Sequence, residues 1–194
     1  MNRAVFLDRD GTLIEEVGYL DRIDRLRLFP ETVDALRVLQ RAGLRVIIAT
    51  NQSGIAQGLF TESFVRDLHA HLTARLAEGG VQLDGIYMCP HHPEAKLPAY
   101  RAVCDCRKPS SGLLQQAARD LDLDLTRSYM VGDRWRDLLA GQTIGTAGVL
   151  VRTGYGESEA RYPPAGARAD VVVDNVAAAA SWILLQERAR AAHV

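Results

Sequence analysis

The segment DRDGT places Asp8 and Asp10 two residues apart, directly after the apolar run RAVFLD begins to close. Two carboxylates brought together at a buried strand end repel each other and lose hydration, so they require a cation or a shared proton. Mg²⁺ with a phosphate would satisfy both. A second polar group, TNQSG, runs from Thr50 through Asn51, Gln52 and Ser53, hydroxyls and amides able to donate to phosphoryl oxygens. A third, CRKP, supplies Arg107 and Lys108. The chain has two lysines, Lys96 and Lys108, against 21 arginines, so a compact ammonium at Lys108 stands out. Lysine meets phosphate as a point charge, arginine as a planar fork. A fourth group, GDRWRD, carries Asp133 with Asp137 four residues on. Taken singly, each has a plainer reading: an acidic turn, a polar turn capping a helix, a surface lysine, or a helix cap with an exposed Asp–Arg pair.

All three cysteines and two of the five histidines fall in CPHHPEAKLPAYRAVCDCRKP. The pattern is C-x-H, twelve residues, then C-x-C, two tight pairs of soft or borderline donors that suit a structural Zn²⁺ of the Cys₃His type. An odd cysteine count argues against a closed disulfide framework, and no redox C-x-x-C is present. Zinc would stand in for the core that this Pro-rich loop, residues 89–108, lacks. Spacing alone leaves His91 and His92 both open as the fourth ligand beside Cys89, Cys104 and Cys106. His69 and His71 lie outside the cluster and are expected as ordinary helix-surface residues.

Alternating segments must position these groups. RAVFLD, LRVIIAT, LDGIYMC, RSYMVGD, AGVLVRTG and ADVVVD read as strands. Between them, ETVDALRVLQRAG has Val33, Leu36 and Leu39 at helical spacing and stops at Gly43. TESFVRDLHAHLTARLAEGG opens on Thr61 as an N-cap and sets Phe64, Leu68, Leu72 and Leu76 four apart. SSGLLQQAARDL, RWRDLLAGQTIG and NVAAAASWILLQERAR are also helical in pattern, and TGYGESEARYPPAGARA reads as one long surface loop. Strand–helix alternation predicts an α/β, Rossmann-like three-layer sandwich with a mostly parallel sheet, one domain over residues 1–194. In such sheets ligands bind beyond the carboxyl ends of the strands, where Asp8, Thr50, Cys89 and Asp133 fall.

A net charge of −1 gives no sign of a nucleic-acid partner, and no apolar run approaches the length of a membrane span. The N-terminal MNRAVFLDRDG lacks the apolar stretch of a signal peptide, so cytoplasmic residence is expected. With no heptad pattern or long apolar edge, a monomer is expected.

Four polar groups in this order at successive strand ends resemble the four motifs of the haloacid dehalogenase superfamily of phosphohydrolases. The resemblance implies Asp8 as nucleophile, Asp10 as general acid/base, Thr50 and Lys108 as phosphoryl clamps, and Mg²⁺ held by Asp8, the Asp10 carbonyl and Asp133. DRDGT, GY, TNQSG, CPHHP and CDCRKP are further similar to the heptose 1,7-bisphosphate 7-phosphatases, over about Arg3 to Gly154. That implies a haloacid dehalogenase-like fold without a large cap domain and His91 as the zinc ligand. It also implies a sugar bisphosphate substrate and a step toward ADP- or GDP-heptose. Substrate contacts carried over by the motifs are Glu16, Val17, Gly18, Tyr19, Thr50, Asn51, Gln52, Ser53, Arg107, Lys108 and Arg134. The family has an acid and a histidine before Gly-Tyr where this chain has Glu16 and Val17, which leaves the anomer open. Trp135, Arg136 and Asp137 receive no role. The competing readings are a histidinol-phosphate phosphatase, a broader sugar-phosphate phosphatase, and a zinc-stabilised binding module without catalysis.

Overall fold

A computed structural model of the chain describes residues 1–192. Six strands form one sheet: β1 (Arg3–Leu7), β2 (Leu44–Asn51), β3 (Gly85–Cys89), β4 (Tyr129–Gly132), β5 (Ala147–Val151) and β6 (Val171–Val173). Their order is β3-β2-β1-β4-β5-β6, and every neighbouring pair is parallel. Parallel strands need crossovers, supplied by α1 (Thr32–Arg41), α2 (Ser53–Ala56) with α3 (Glu62–Glu78), α4 (Gly112–Leu121), α5 (Trp135–Gln142) and α6 (Gly156–Arg161). A last helix, α7 (Val176–Ala191), follows β6. The order reverses at β1: the chain first builds outward through β2 and β3, then returns to lay β4, β5 and β6 on the other side. The crevice at that reversal lies between the ends of β1 and β4, where Asp8 and Asp133 follow.

Successive strand residues face opposite sides, so each strand feeds two cores. Val5, Leu7, Val46, Ile48, Val131 and Val149 pack with Leu36 and Leu39 of α1, Leu68, Leu72 and Leu76 of α3, and Ile183 of α7. Ala4, Phe6, Ile47, Ala49 and Met130 face the other way, against Leu113, Leu114 and Ala117 of α4. Leu150 meets Trp135 and Leu138 of α5. Both faces being covered explains why the strands read as continuous apolar runs rather than alternating ones.

The expected caps are in place. Thr61 Oγ1 accepts the Phe64 N–H at 3.1 Å, and Gly43, with φ +81°, follows the end of α1. The segment expected as one surface loop contains α6. Its Gly156 has Val151 O where a Cβ would stand, and Trp135 Nε1 donates to Glu159 O at 2.7 Å. This helix is held by tertiary contacts, and its flanking glycines and prolines conceal it in the sequence. Among the described residues no separate cap domain interrupts the strand–helix alternation, and no helix is long and apolar enough to cross a membrane.

Candidate active site

The backbone of Asp8 is fixed by its N–H, which donates to Val131 O at 2.9 Å, so the first carboxylate is tied to the β1/β4 junction. Lys108 arrives from the opposite side of the crevice, 1% exposed. Its Nζ lies 2.9 Å from Asp8 Oδ1, 2.7 Å from Asp137 Oδ1 and 2.7 Å from Ala49 O. Burial opposes the ammonium, but Asp137 and Asp8 outweigh it and hold its pKa above the ordinary lysine value. Asn51 fixes the backbone beneath. Its Nδ2 donates to Lys108 O at 3.0 Å and its Oδ1 accepts from Lys108 N at 3.1 Å.

Asp8, Asp133 and Asp137 offer carboxylate oxygens within 4.8 Å of one another. One lysine cannot neutralise three carboxylates. Asp133 Oδ2 accepts the Tyr155 N–H at 2.8 Å, whereas its buried Oδ1 has no hydrogen-bond partner among the described residues. Burial, then Asp8 and Asp137, push the Asp133 carboxyl up to about 8, with the Tyr155 N–H opposing. Orphaned oxygen, excess negative charge and an all-oxygen donor set fit a hard divalent cation such as Mg²⁺. The backbone closes in on the same carboxylate. A Cβ at Gly11 (φ +79°) would sit 2.2 Å from Asp133 Oδ2, and one at Gly154 (φ +58°) 2.3 Å from it. Only glycine lets these turns approach so closely.

A pH dependence follows. In metal-free protein, folded Asp133 keeps its proton to about 8 while the unfolded carboxyl loses it near 3.8. Between these values the native state binds more protons than the unfolded state, so stability falls as pH rises. The contribution is fully present below the lower value and lost above the higher one. Thermal melts of chelated protein should therefore drop across this window. Added Mg²⁺, which competes with that proton, should raise the melting temperature more at pH 8 than at pH 5. A uniform Mg²⁺ effect at both pH values would remove Asp133 from the site.

Asp10 is gripped by donors. Arg9 Nη2 and Nε lie 2.9 and 3.2 Å from its Oδ1, and Gln52 Nε2 lies 3.0 Å from its Oδ2. Gln52 Nε2 also donates to Thr50 Oγ1 at 2.9 Å, which leaves the buried Thr50 hydroxyl its own proton to give. Asp8, Arg9, Asp10, Gln52 and Lys108 floor a cleft of about 350 Å³, whereas Thr50 lies behind Gln52 and does not line it. Glu16, Gly18 and Tyr19 line one wall, with Tyr19 edge-on to Phe60 at 6.5 Å. Glu16 is raised above the usual carboxylate range, chiefly by burial, although it accepts the Gly18 N–H at 2.6 Å. Val17 departs from expectation: its side chain packs against the apolar core, leaving only its neighbours to line the cleft. Ser53 joins Asn51 and Gln52 on the second wall. Three guanidiniums surround the mouth, Arg107, Arg134 and Arg136. Arg134 stacks 3.5 Å from the Tyr155 ring centre, and Arg107 donates to His91 O at 3.0 Å.

That last bond leads into the cysteine loop. Cys89, His91, Cys104 and Cys106 converge, their donor atoms within 4.8 Å of one another. The Cys106 sulfur lies 3.0 Å from Cys89 and 3.3 Å from Cys104, and His91 Nδ1 lies 3.4 Å from Cys106. Sulfurs about 2.3 Å from a tetrahedral Zn²⁺ stand slightly further apart, so the four donors need little adjustment to fit one ion. His92 faces the cleft instead, and its Nδ1 accepts the Glu94 N–H at 3.1 Å.

A HAD-hydrolase-like family model matches residues 105–179. The chain is 47% identical over 182 residues to the D-glycero-beta-D-manno-heptose-1,7-bisphosphate 7-phosphatase of Haemophilus influenzae, covering 91% of this chain and 94% of that one. It is 46% identical over 153 residues to the protein of the same name from Escherichia coli K12, covering 78% and 80%. The chain belongs to the D-glycero-β-D-manno-heptose-1,7-bisphosphate 7-phosphatase family. Among solved structures, a D,D-heptose 1,7-bisphosphate phosphatase from B. bronchiseptica, complexed with magnesium and phosphate, superposes with a TM-score of 0.82 at 35% identity, covering 95% of this chain and 99% of that one.

Within this phosphatase frame, three polar groups escaped the sequence reading. Asp137, which received no role, is buried against Lys108. Its position four residues after Asp133 on the first turns of α5 was the available signal. Arg9, the middle residue of DRD, is buried beside Asp10 rather than turned to solvent. His69, expected on the helix surface, is 8% exposed, with Nε2 3.0 Å from Arg9 Nη1. Its three-residue offset from the Leu72 stripe of α3 already placed it on the buried face.

Proposed function

We propose that this phosphatase removes the 7-phosphate of D-glycero-β-D-manno-heptose 1,7-bisphosphate, releasing heptose 1-phosphate. The observation that carries the reading is the joining of two sites in one cleft: an Asp8–Lys108–Asp137 centre at the floor and three guanidiniums at the mouth. A bisphosphate has a phosphate for each. Asp8 attacks phosphorus in line; its oxygen–phosphorus bond forms as the bond to the sugar oxygen breaks, leaving an aspartyl-phosphate. Asp10 gives a proton to the departing oxygen, then takes one from the water that hydrolyses the intermediate. Lys108 and the Thr50 hydroxyl offset charge on the phosphoryl oxygens. Asp8, Asp133 and the Asp10 carbonyl would hold Mg²⁺, which would supply further neutralisation of those oxygens, and Asp137 secures Lys108. Glu16, Gly18, Tyr19, Asn51, Gln52 and Ser53 shape the sugar site, and Arg107 with Arg134 holds the distal phosphate by charge-assisted bonds.

The β anomer rests on the relatives' names. A cluster of guanidiniums disfavours histidinol phosphate, whose ammonium it would repel. Phosphate release from both heptose bisphosphate anomers and from histidinol phosphate tests the assignment. Fastest turnover on the β anomer is expected, and equal rates on histidinol phosphate would sink it.

The Cys₃His cluster is read as a structural Zn²⁺ site that fixes the loop bearing Arg107 and Lys108. Cys104→Ser should lower zinc from one ion per chain to a small fraction by elemental analysis, with a lower melting temperature. Full zinc content in that variant would refute the four-donor site.

A further inference from the structure

We infer that His69, acting through Arg9, positions the Asp10 carboxyl for its proton transfers, an inference that rests on the phosphatase reading above. Arg9 is 2% exposed, and burying a guanidinium is costly unless its donors are met. They are met in one direction. Nε and Nη2 converge on Asp10, Nη2 also reaches Gln52 Oε1 at 2.9 Å, and Nη1 meets His69 Nε2 at 3.0 Å. Gln52 closes the ring from the far side by donating to Asp10 Oδ2. The plane of the Asp10 carboxyl is thereby fixed on both oxygens.

The chemistry of the anchor is informative. Arginine has no acceptor, so His69 Nε2 must accept and its ring is neutral, with the proton on Nδ1. Burial and the adjacent Arg9 charge agree, pulling the imidazole down to about 3. A glutamate there would be the ordinary partner for a buried arginine, but it would compete with Asp10 for the guanidinium. A neutral imidazole orients Arg9 while leaving its charge to Asp10. Because α3 carries His69 and β2 leads into Gln52, two separate elements brace the acid/base carboxyl. His69 and Arg9 touch no reacting atom in this scheme. They are positioning residues.

Leaving-group chemistry separates positioning from mere support of the fold. In the first step the sugar oxygen takes the bonding pair and needs the proton from Asp10. p-Nitrophenolate leaves without one. The ratio kcat/KM reports that step for both substrates. His69→Leu, which removes the acceptor, should lower kcat/KM on the heptose bisphosphate about tenfold, the usual scale for a supporting contact behind a reacting group. On p-nitrophenyl phosphate it should change by no more than about twofold, because the acid is not used in that step. His69→Gln, whose Oε1 can accept from Arg9 Nη1, should recover most of the loss. Equal losses on both substrates, or no loss on either, would overturn the positioning role and leave the phosphatase reading intact. Wild-type protein inert on every phosphate ester would overturn both.

Discussion

Asp8→Asn is expected to abolish phosphate release without weakening the fold. An amide cannot form the phosphoaspartyl ester, and loss of a nucleophile from a concerted constellation costs at least about 10⁴-fold in kcat. The structure separates this effect from unfolding. Asp8 is one of the charges that push Asp133 up, and Lys108 keeps its closer partner Asp137 at 2.7 Å, so a neutral isostere at Asp8 relieves repulsion in the crevice without leaving the ammonium unpaired. Metal-free Asp8→Asn should melt no lower than the parent, with its activity gone. Steady-state phosphate release and thermal melts on the same preparation measure the two halves. Retention of more than a small fraction of turnover would move the nucleophile elsewhere, and a large fall in melting temperature would contradict the electrostatic account.

Lys108→Met is expected to injure both stability and turnover. Its ammonium is the buried cation between Asp8 and Asp137, and it also satisfies Ala49 O. Breaking a buried pair by removing one partner leaves uncompensated charge, a cost of about 3–5 kcal/mol. Turnover should fall by roughly 10²–10³-fold, the range seen when one preorganised donor to developing charge is removed. Millimolar Mg²⁺ should restore much of the stability, since a cation again offsets the carboxylates. It should not restore the rate, because the lysine's contact with the phosphoryl group is absent. Denaturant melts with and without Mg²⁺, paired with initial rates, test this. A variant as stable as the parent in chelator would show that the crevice carboxylates are not ionised there.

The strand ends were legible because chemistry and periodicity coincide at them. DRDGT, TNQSG and GDRWRD each follow an apolar run with the length of a strand, and a parallel sheet turns those positions toward one crevice. The zinc-type cluster was legible in composition, since three cysteines in one Pro-rich stretch have few other uses. Which histidine faces the thiols is a matter of loop path; the resemblance pointed to His91, and the fold turns His91 inward and His92 to the cleft. What stayed hidden were charged residues whose burial depends on partners far along the chain. Arg9 is 60 residues from His69 and 43 from Gln52, so no local pattern distinguishes it from a solvated arginine. Helix α6 was hidden for a related reason: contacts with α5 and β5 hold it, against a local composition that reads as loop.

The glycines pressed against Asp133 set a boundary on how this enzyme can change. Gly11 and Gly154 leave no volume for even a methyl group beside the Asp133 carboxylate. A mutational library that randomised them would return almost entirely inactive clones, whatever substrate was selected for. Tyr19 and Arg136, on the open side of the cleft, have no such restriction. New substrate preference in this scaffold has to be sought at the rim, because the floor admits one backbone and no side chains at those two points.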